Sequence, residues 1–238
     1  MLKLVPPNGD EANAGAVAEA FRGRGMVRVL ECAPGVALLE RLVPGTSLSE
    51  LVRKGEDRAA TRILAEVARA LHETSPSSEG VVTVEAWGRG FDRYRASGDR
   101  QIPAGLIEDA GERFVRLCRT QGPVRLLHGD LQHYNVLSDR TRGWIAIDPK
   151  GVAGELDYEL GAALRNPHER PELYSSASPV EQRVACFVQH LRIDAARVLE
   201  WAYAQAVLSA IWTVEDDGVV RPDDPALQLA AAIGPMLE

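Results

Sequence analysis

The sequence predicts an α+β chain in two parts, a small strand-rich lobe over residues 1–45 and a mostly helical lobe over 46–238. Three observations point there. Short Val- and Leu-rich runs broken by Pro and Gly occupy the front of the chain. Beyond the Val43–Thr46 break, apolar residues recur at spacings of three and four, the period of a helix with one buried face. Inside that helical part, two short apolar runs carry polar residues in "LLHGDLQHYNVL" (126–137) and "GWIAIDPKG" (143–151).

Element by element, "MLKLV" reads as a short strand. "DEANAGAVAEAFRGRG" reads as a helix closed by glycine at Gly23 or Gly25. "MVRVLEC" and "GVALLERL" form a hairpin about Pro34-Gly35, and "VPGTSL" ends that pattern. A helix follows in "DRAATRILAEVARALHE", with Ile63, Leu64, Val67, Ala68 and Leu71 on one stripe. Residues 75–103, rich in glycine and charge, read as a long connection with one short element. "AGLIEDAGERFVRLCRT" repeats the helical stripe with Leu106, Ile107, Ala110, Phe114 and Leu117. Strands are expected around Val124–Leu127 and Trp144–Ile147. A long amphipathic helix is expected over Asp194–Glu215, with Trp201, Tyr203 and Trp212, and a last helix over Asp224–Leu237.

The 238 residues are 45% hydrophobic, enough for a sizeable core. Acidic residues outnumber basic ones 34 to 27, a formal charge of -7, which argues against nucleic acid and for a cationic partner. Cys32, Cys118 and Cys186 are far apart and lack a CxxC, so free thiols in a reducing cytoplasm are expected. No apolar run approaches the roughly 18 residues of a membrane span, and Pro6-Pro7 interrupts any signal-peptide core.

A carboxylate between apolar runs is costly unless something pairs with it or binds it. Asp130, with four residues between it and Asn135, then Asp148 at the end of the next strand, matches the kinase order of catalytic Asp, Asn and metal-binding Asp. Asp130 suits the orientation and deprotonation of a hydroxyl. Asn135 and Asp148 offer the oxygen ligands that magnesium prefers. His128 is expected to brace the loop. A rival reading takes His128, Asp130 and His133 as the metal ligands of a hydrolase.

"HGDLQHYNVL" and "IDPKG", with "GELDYELGAALRNP" and "GRGMVRVL…ALLERLVPG", resemble the aminoglycoside phosphotransferase family, in its streptomycin 6-kinase and hydroxyurea phosphotransferase branch. The resemblance runs from Leu2 to the last helices and implies a protein-kinase-like two-lobe fold. It implies an ATP- and Mg2+-dependent enzyme of antibiotic inactivation. Asp130 would be the base, and Asn135 and Asp148 would hold magnesium. Lys3 would contact the nucleotide phosphates, with Lys150 as a further phosphate contact. The backbone at Glu40–Leu42 would be the hinge that binds adenine. For a cationic small-molecule substrate, Glu155 and Asp157 of "GELDYE" and the pair Trp212 and Glu215 are the expected contacts.

The pattern departs from the family at the front. A glycine-rich loop should precede the lysine strand, yet the lysine is residue 3, and Gly23-Arg-Gly25 follows a helix. Glu11 and Glu19 are the candidates to pair with Lys3. The expectation is a truncated lobe whose exposed strand edge can pair with a second copy. The alternative function is a catalytically impaired homologue that binds a cationic molecule without phosphorylating it.

Overall fold

A computed structural model describes residues 1–4 and 13–238. The front sheet holds β1 (Leu2–Leu4), β2 (Val29–Ala33) and β3 (Val36–Leu39) in the antiparallel order β1-β3-β2. The β2–β3 hairpin turns at Pro34-Gly35 as expected. Between β1 and β2 lies α1 (Ala14–Ala20). Strand alternation aims Leu2 and Leu4 outward and Lys3 inward.

The chain then crosses to the helical lobe at Pro44. Residues 44–47, which looked like a break, form β4 (Pro44–Ser47). It pairs antiparallel with β6 (Val136–Asp139), itself paired with β7 (Gly143–Ala146). A separate pair joins β5 (Arg125–Leu127) to β8 (Val152–Gly154). These two small ribbons present the polar loops of residues 128–135 and 147–151 at one end.

The helices α2 (Ser49–Arg53), α3 (Asp57–Glu73), α4 (Val84–Trp87), α5 (Arg89–Ser97) and α6 (Ala104–Arg119) precede the ribbons. Thus the connection over 75–103 holds two helices, started by the Thr83 cap, whose hydroxyl accepts from Ala86 N at 3.1 Å. After the ribbons come α7 (Leu156–Glu159), α8 (Gly161–Leu164), α9 (Ala177–Leu191), α10 (Ala195–Asp217) and α11 (Pro225–Ile233). The sequence reading passed over α9, although Val180, Val184 and Phe187 make a helical stripe that is buried against α3.

Helix α10 is the core of the molecule and not an amphipathic surface helix. Every residue from Trp201 to Leu208 is buried, against α6, α8 and α11. Such burial on all sides requires small residues, and Ala202, Ala204 and Ala206 supply them. Among the described residues no helix is long and apolar enough to cross a membrane.

Candidate active site

The loop between β5 and β6 is stiffened from below. His128 is fully buried, with Nε2 2.8 Å from the Ile147 carbonyl and Nδ1 accepting the Asp130 N–H at 3.2 Å. Burial lowers its pKa, so the neutral ring with its proton on Nε2 satisfies both bonds. Both ring nitrogens are thus committed to the main chain, and His133 is buried as well. Among the described residues no group of three His, Cys, Asp or Glu side chains could hold a metal. His128 of the rival hydrolase motif thus braces the loop, and His133 is sealed from solvent with neither ring nitrogen hydrogen-bonded among the described residues.

Glu159 on α7 is the second brace. Its two oxygens accept the N–H groups of His128 (2.6 Å) and Gly129 (2.9 Å). Burial pushes this carboxyl up to about 7. Asp130 then projects half-buried beyond the loop. Asn135 Nδ2 donates to the Asp130 carbonyl at 2.9 Å and to Asp130 Oδ2 at 3.1 Å. Both bonds use the amide nitrogen, which leaves the amide oxygen of Asn135 as the end that could serve a cation.

Asp148, at the end of the next strand, sits at φ 56°, a left-handed backbone that a non-glycine residue adopts at a cost. Its Oδ1 lies 3.1 Å from Lys3 Nζ. The front sheet therefore delivers its inward lysine to the carboxylate of the "IDPKG" run. Among the described residues Lys3 pairs with Asp148, while Glu19 is exposed on α1; Glu11 lies outside the described residues. An amide oxygen and a carboxylate fit a hard divalent cation that keeps water and phosphate as its other ligands.

Glu40 and Leu42 lie on the crossing between β3 and β4. The Glu40 side chain accepts from Arg28 N at 2.8 Å and pairs with Arg142. The Glu40 carbonyl and the Leu42 N–H make no hydrogen bond within the described residues, which leaves one acceptor and one donor two residues apart. Gly23-Arg-Gly25 is a turn rather than a phosphate loop. Arg142 holds the carbonyls of Gly23 and, at 2.9 Å, Met26, while Ala146 N donates to Gly25 O at 2.9 Å.

Three cavities adjoin the loop. The largest, about 820 Å3, lies between α1, the 77–82 segment and α10, and is walled by Trp87, Trp212, Arg93, Lys150 and Glu215. The two tryptophan rings meet edge to face, 5.6 Å apart. Lys150 Nζ lies 5.9 Å over the Trp212 ring, at the boundary with a second cavity of about 240 Å3 that reaches Asp130. A third, about 210 Å3, opens on the other side of Asp130. Trp212 and Lys150 thus reach the site. Glu215 reaches the wall, but Arg93 holds both its oxygens at 2.9 Å.

Glu155 and Asp157 do not reach the cavities. Glu155 is buried and occupied internally, taking Gly122 N at 2.7 Å, Arg197 Nε at 2.7 Å and the Trp201 indole. Asp157 lies beside that cluster; burial and the Glu155 charge push it up to about 6. Local spacing could not separate these carboxylates from cavity-lining ones, because Arg197 and Trp201, which claim Glu155, come from α10 some forty residues on. Sequence reading also missed Arg165, which faces both smaller cavities.

Comparison with known proteins follows the geometry. The profile of the aminoglycoside/hydroxyurea antibiotic resistance kinases matches residues 1–218. The chain is 34% identical over 234 residues to the hydroxyurea phosphotransferase of Kitasatospora aureofaciens, covering 93% of this chain and 64% of that protein. It is 32% identical over 213 residues to the streptomycin 3''-kinase of Klebsiella pneumoniae, covering 87% and 77%. The chain thus spans less than two thirds of the length of the first relative. In fold it is similar to a choline/ethanolamine kinase family protein from Mesorhizobium loti, with TM-score 0.68, 17% identity, and 99% and 81% of the two chains covered.

Proposed function

This chain belongs to the aminoglycoside/hydroxyurea antibiotic resistance kinase family, and from that premise we propose that it transfers the γ-phosphoryl group of ATP to a hydroxyl of a cationic small molecule, an aminoglycoside such as streptomycin. The observation that carries this reading is the division of labour at the loop: Asp130 faces the cavities while Asp148 is paired with Lys3 behind it.

Lys3 binds the nucleotide phosphates once its pairing with Asp148 is shared with them. The Glu40 carbonyl and the Leu42 N–H bind the adenine edge. Asn135, through its amide oxygen, and Asp148 are the donors for magnesium, which when bound neutralises phosphate charge. Asp130 orients the acceptor hydroxyl and takes its proton as the new oxygen–phosphorus bond forms and the bond to the ADP oxygen breaks. Asn135 fixes one oxygen of Asp130, so the other is aimed at the acceptor. Lys150, at the boundary of the cavities, meets the transferring phosphoryl group.

Two aromatic walls and the exposed carboxylates of Glu79 and Asp216 around the 820 Å3 cavity suit a cationic, sugar-like acceptor. Streptomycin, named for the Klebsiella relative, fits that description better than hydroxyurea, which is small and uncharged. The test is phosphate transfer from magnesium-ATP to streptomycin and to hydroxyurea. Asp130→Ala should cut kcat by about 10²- to 10⁴-fold with an unchanged melting temperature. A variant that kept its rate would remove Asp130 from the mechanism. Binding of the drug without any transfer by the wild type would make the chain a sequestering protein.

A further inference from the structure

Asp130 does not stand alone in its cavities. The 240 Å3 cavity, running past Lys150 and Trp212, and the 210 Å3 cavity, running past Tyr134 and Asp224, share four residues: Asp130, Arg165, Ser209 and Thr213. Among the described lining residues, Arg165 therefore puts a guanidinium on the same wall as the carboxylate that meets the hydroxyl.

That guanidinium is held deliberately. Arg165 follows α8, and its Nη1 donates to Gln205 Oε1 at 3.0 Å. Gln205 is 2% exposed on the central helix α10, and its Nε2 reaches the Tyr158 carbonyl at 3.4 Å. Room for it exists because residue 161 is glycine: a Cβ there would lie 2.0 Å from Gln205 Oε1. The bond to Gln205 uses one of the five N–H groups of an arginine, and the others are available along the cavity wall. The charges around the site are thus layered. Asp216, Asp217 and Asp224 stand toward the rim, the first two exposed, while Arg165 lies deeper beside Asp130.

We propose that Arg165 is a specificity-determining residue, donating to an oxygen on the atom next to the reacting hydroxyl. The acceptor is then a compound whose reactive hydroxyl is flanked by a hydroxyl or carbonyl oxygen, with its cationic groups carried farther out toward the rim carboxylates. An ammonium in the flanking position would face the guanidinium directly. This rests on the phosphotransferase reading above and adds to it which hydroxyls qualify.

The experiment is calorimetric titration of wild type, Arg165→Gln and Arg165→Lys with streptomycin, with myo-inositol (every hydroxyl flanked by oxygen) and with trans-2-aminocyclohexanol, whose single hydroxyl is flanked only by an ammonium and a methylene. Magnesium-ADP serves as the control ligand and the thermal midpoint as the control for folding. Arg165→Gln should weaken streptomycin and myo-inositol by about tenfold to a hundredfold, the range of one hydrogen bond from a charged donor. Arg165→Lys should recover part of that loss, trans-2-aminocyclohexanol should bind Arg165→Gln at least as well as wild type, and magnesium-ADP should be unaffected. Equal losses for all three ring compounds, a parallel loss of magnesium-ADP, or no loss at all would overturn the proposal, as would a wild type that binds none of the three. Parallel transfer assays separate the two ideas. Transfer by a wild type whose acceptor affinity ignores Arg165 sinks only this inference, whereas the expected binding pattern without any transfer sinks only the phosphotransferase reading.

Discussion

Glu159 shows how one buried side chain fixes the reacting loop. Its carboxylate takes two main-chain donors from His128 and Gly129, yet burial raises its pKa from 4.5 to about 7. The folded state therefore holds this proton more tightly than the unfolded state. The stability it contributes is fully present below the unfolded pKa and is lost as pH rises toward 7. Glu159→Gln should remove that slope, read as urea stability at pH 5 and pH 8. It should also cost about 1–3 kcal/mol, because the amide NH2 faces an N–H that had an acceptor, and kcat should fall with it. At this scale the sequence was informative where chemistry demands a residue type at a spacing. Asp130, Asn135 and Asp148 stood out because a hydroxyl and a hard cation call for those groups in that order, and the structure does bond Asn135 to Asp130 and pair Asp148 with Lys3. Glu155 misled because a carboxylate close in sequence to a site carries no mark of whether it faces a cavity or the Arg197 and Trp201 of a distant helix.

Helix α9 is tied to α3 by one buried ion pair as well as by its apolar stripe. Arg183, 2% exposed, pairs with Asp57 through Nη2 at 2.5 Å and donates to the Asn166 carbonyl at 2.8 Å. The arginine thus fastens the start of α3 to the segment that carries Arg165. Asp57→Ala leaves the guanidinium buried with its carbonyl partners only, and should cost about 3 kcal/mol by chemical denaturation. Adding Arg183→Met should return much of that loss. If the single variant were as stable as wild type, the pair would be ornamental. The long helices α3, α6 and α10 were legible because sixteen or more residues repeat their pattern. The short β4, α4 and α5 were not, because their register is set by partners far along the chain. Pro44 pairs opposite Asp139, and nothing within four residues of Pro44 announces it.

Across the whole molecule, the two lobes are stitched rather than loosely hinged. Val27 N donates to Ala146 O at 2.8 Å, Ala146 N donates to Gly25 O at 2.9 Å, and Arg142 spans the Gly23 and Met26 carbonyls and the Glu40 carboxylate. Glu40 and the turn after α1 thus share one guanidinium from the β6–β7 ribbon. Arg142→Ala should lower stability by about 1–3 kcal/mol. It should raise KM for ATP more than it lowers kcat, and speed hydrogen exchange over 23–28. Unchanged exchange there would mean that the main-chain bonds suffice. The two-part plan was readable from the switch in hydrophobic period. The latch was not, because Arg142 sits in a polar turn, where an arginine is ordinarily a solvated surface residue.

The edge-to-face pair of Trp87 and Trp212 has an optical consequence. The two indoles line the 820 Å3 cavity, and a lysine ammonium stands over one of them, while Trp201 is sealed in the interior. A molecule entering that cavity changes the polarity and the quenching around these two emitters and leaves Trp144 and Trp201, neither of which lines it, as a constant background. The protein thus carries its own fluorescent indicator of occupancy of that cavity, one that needs no attached dye and no turnover to read.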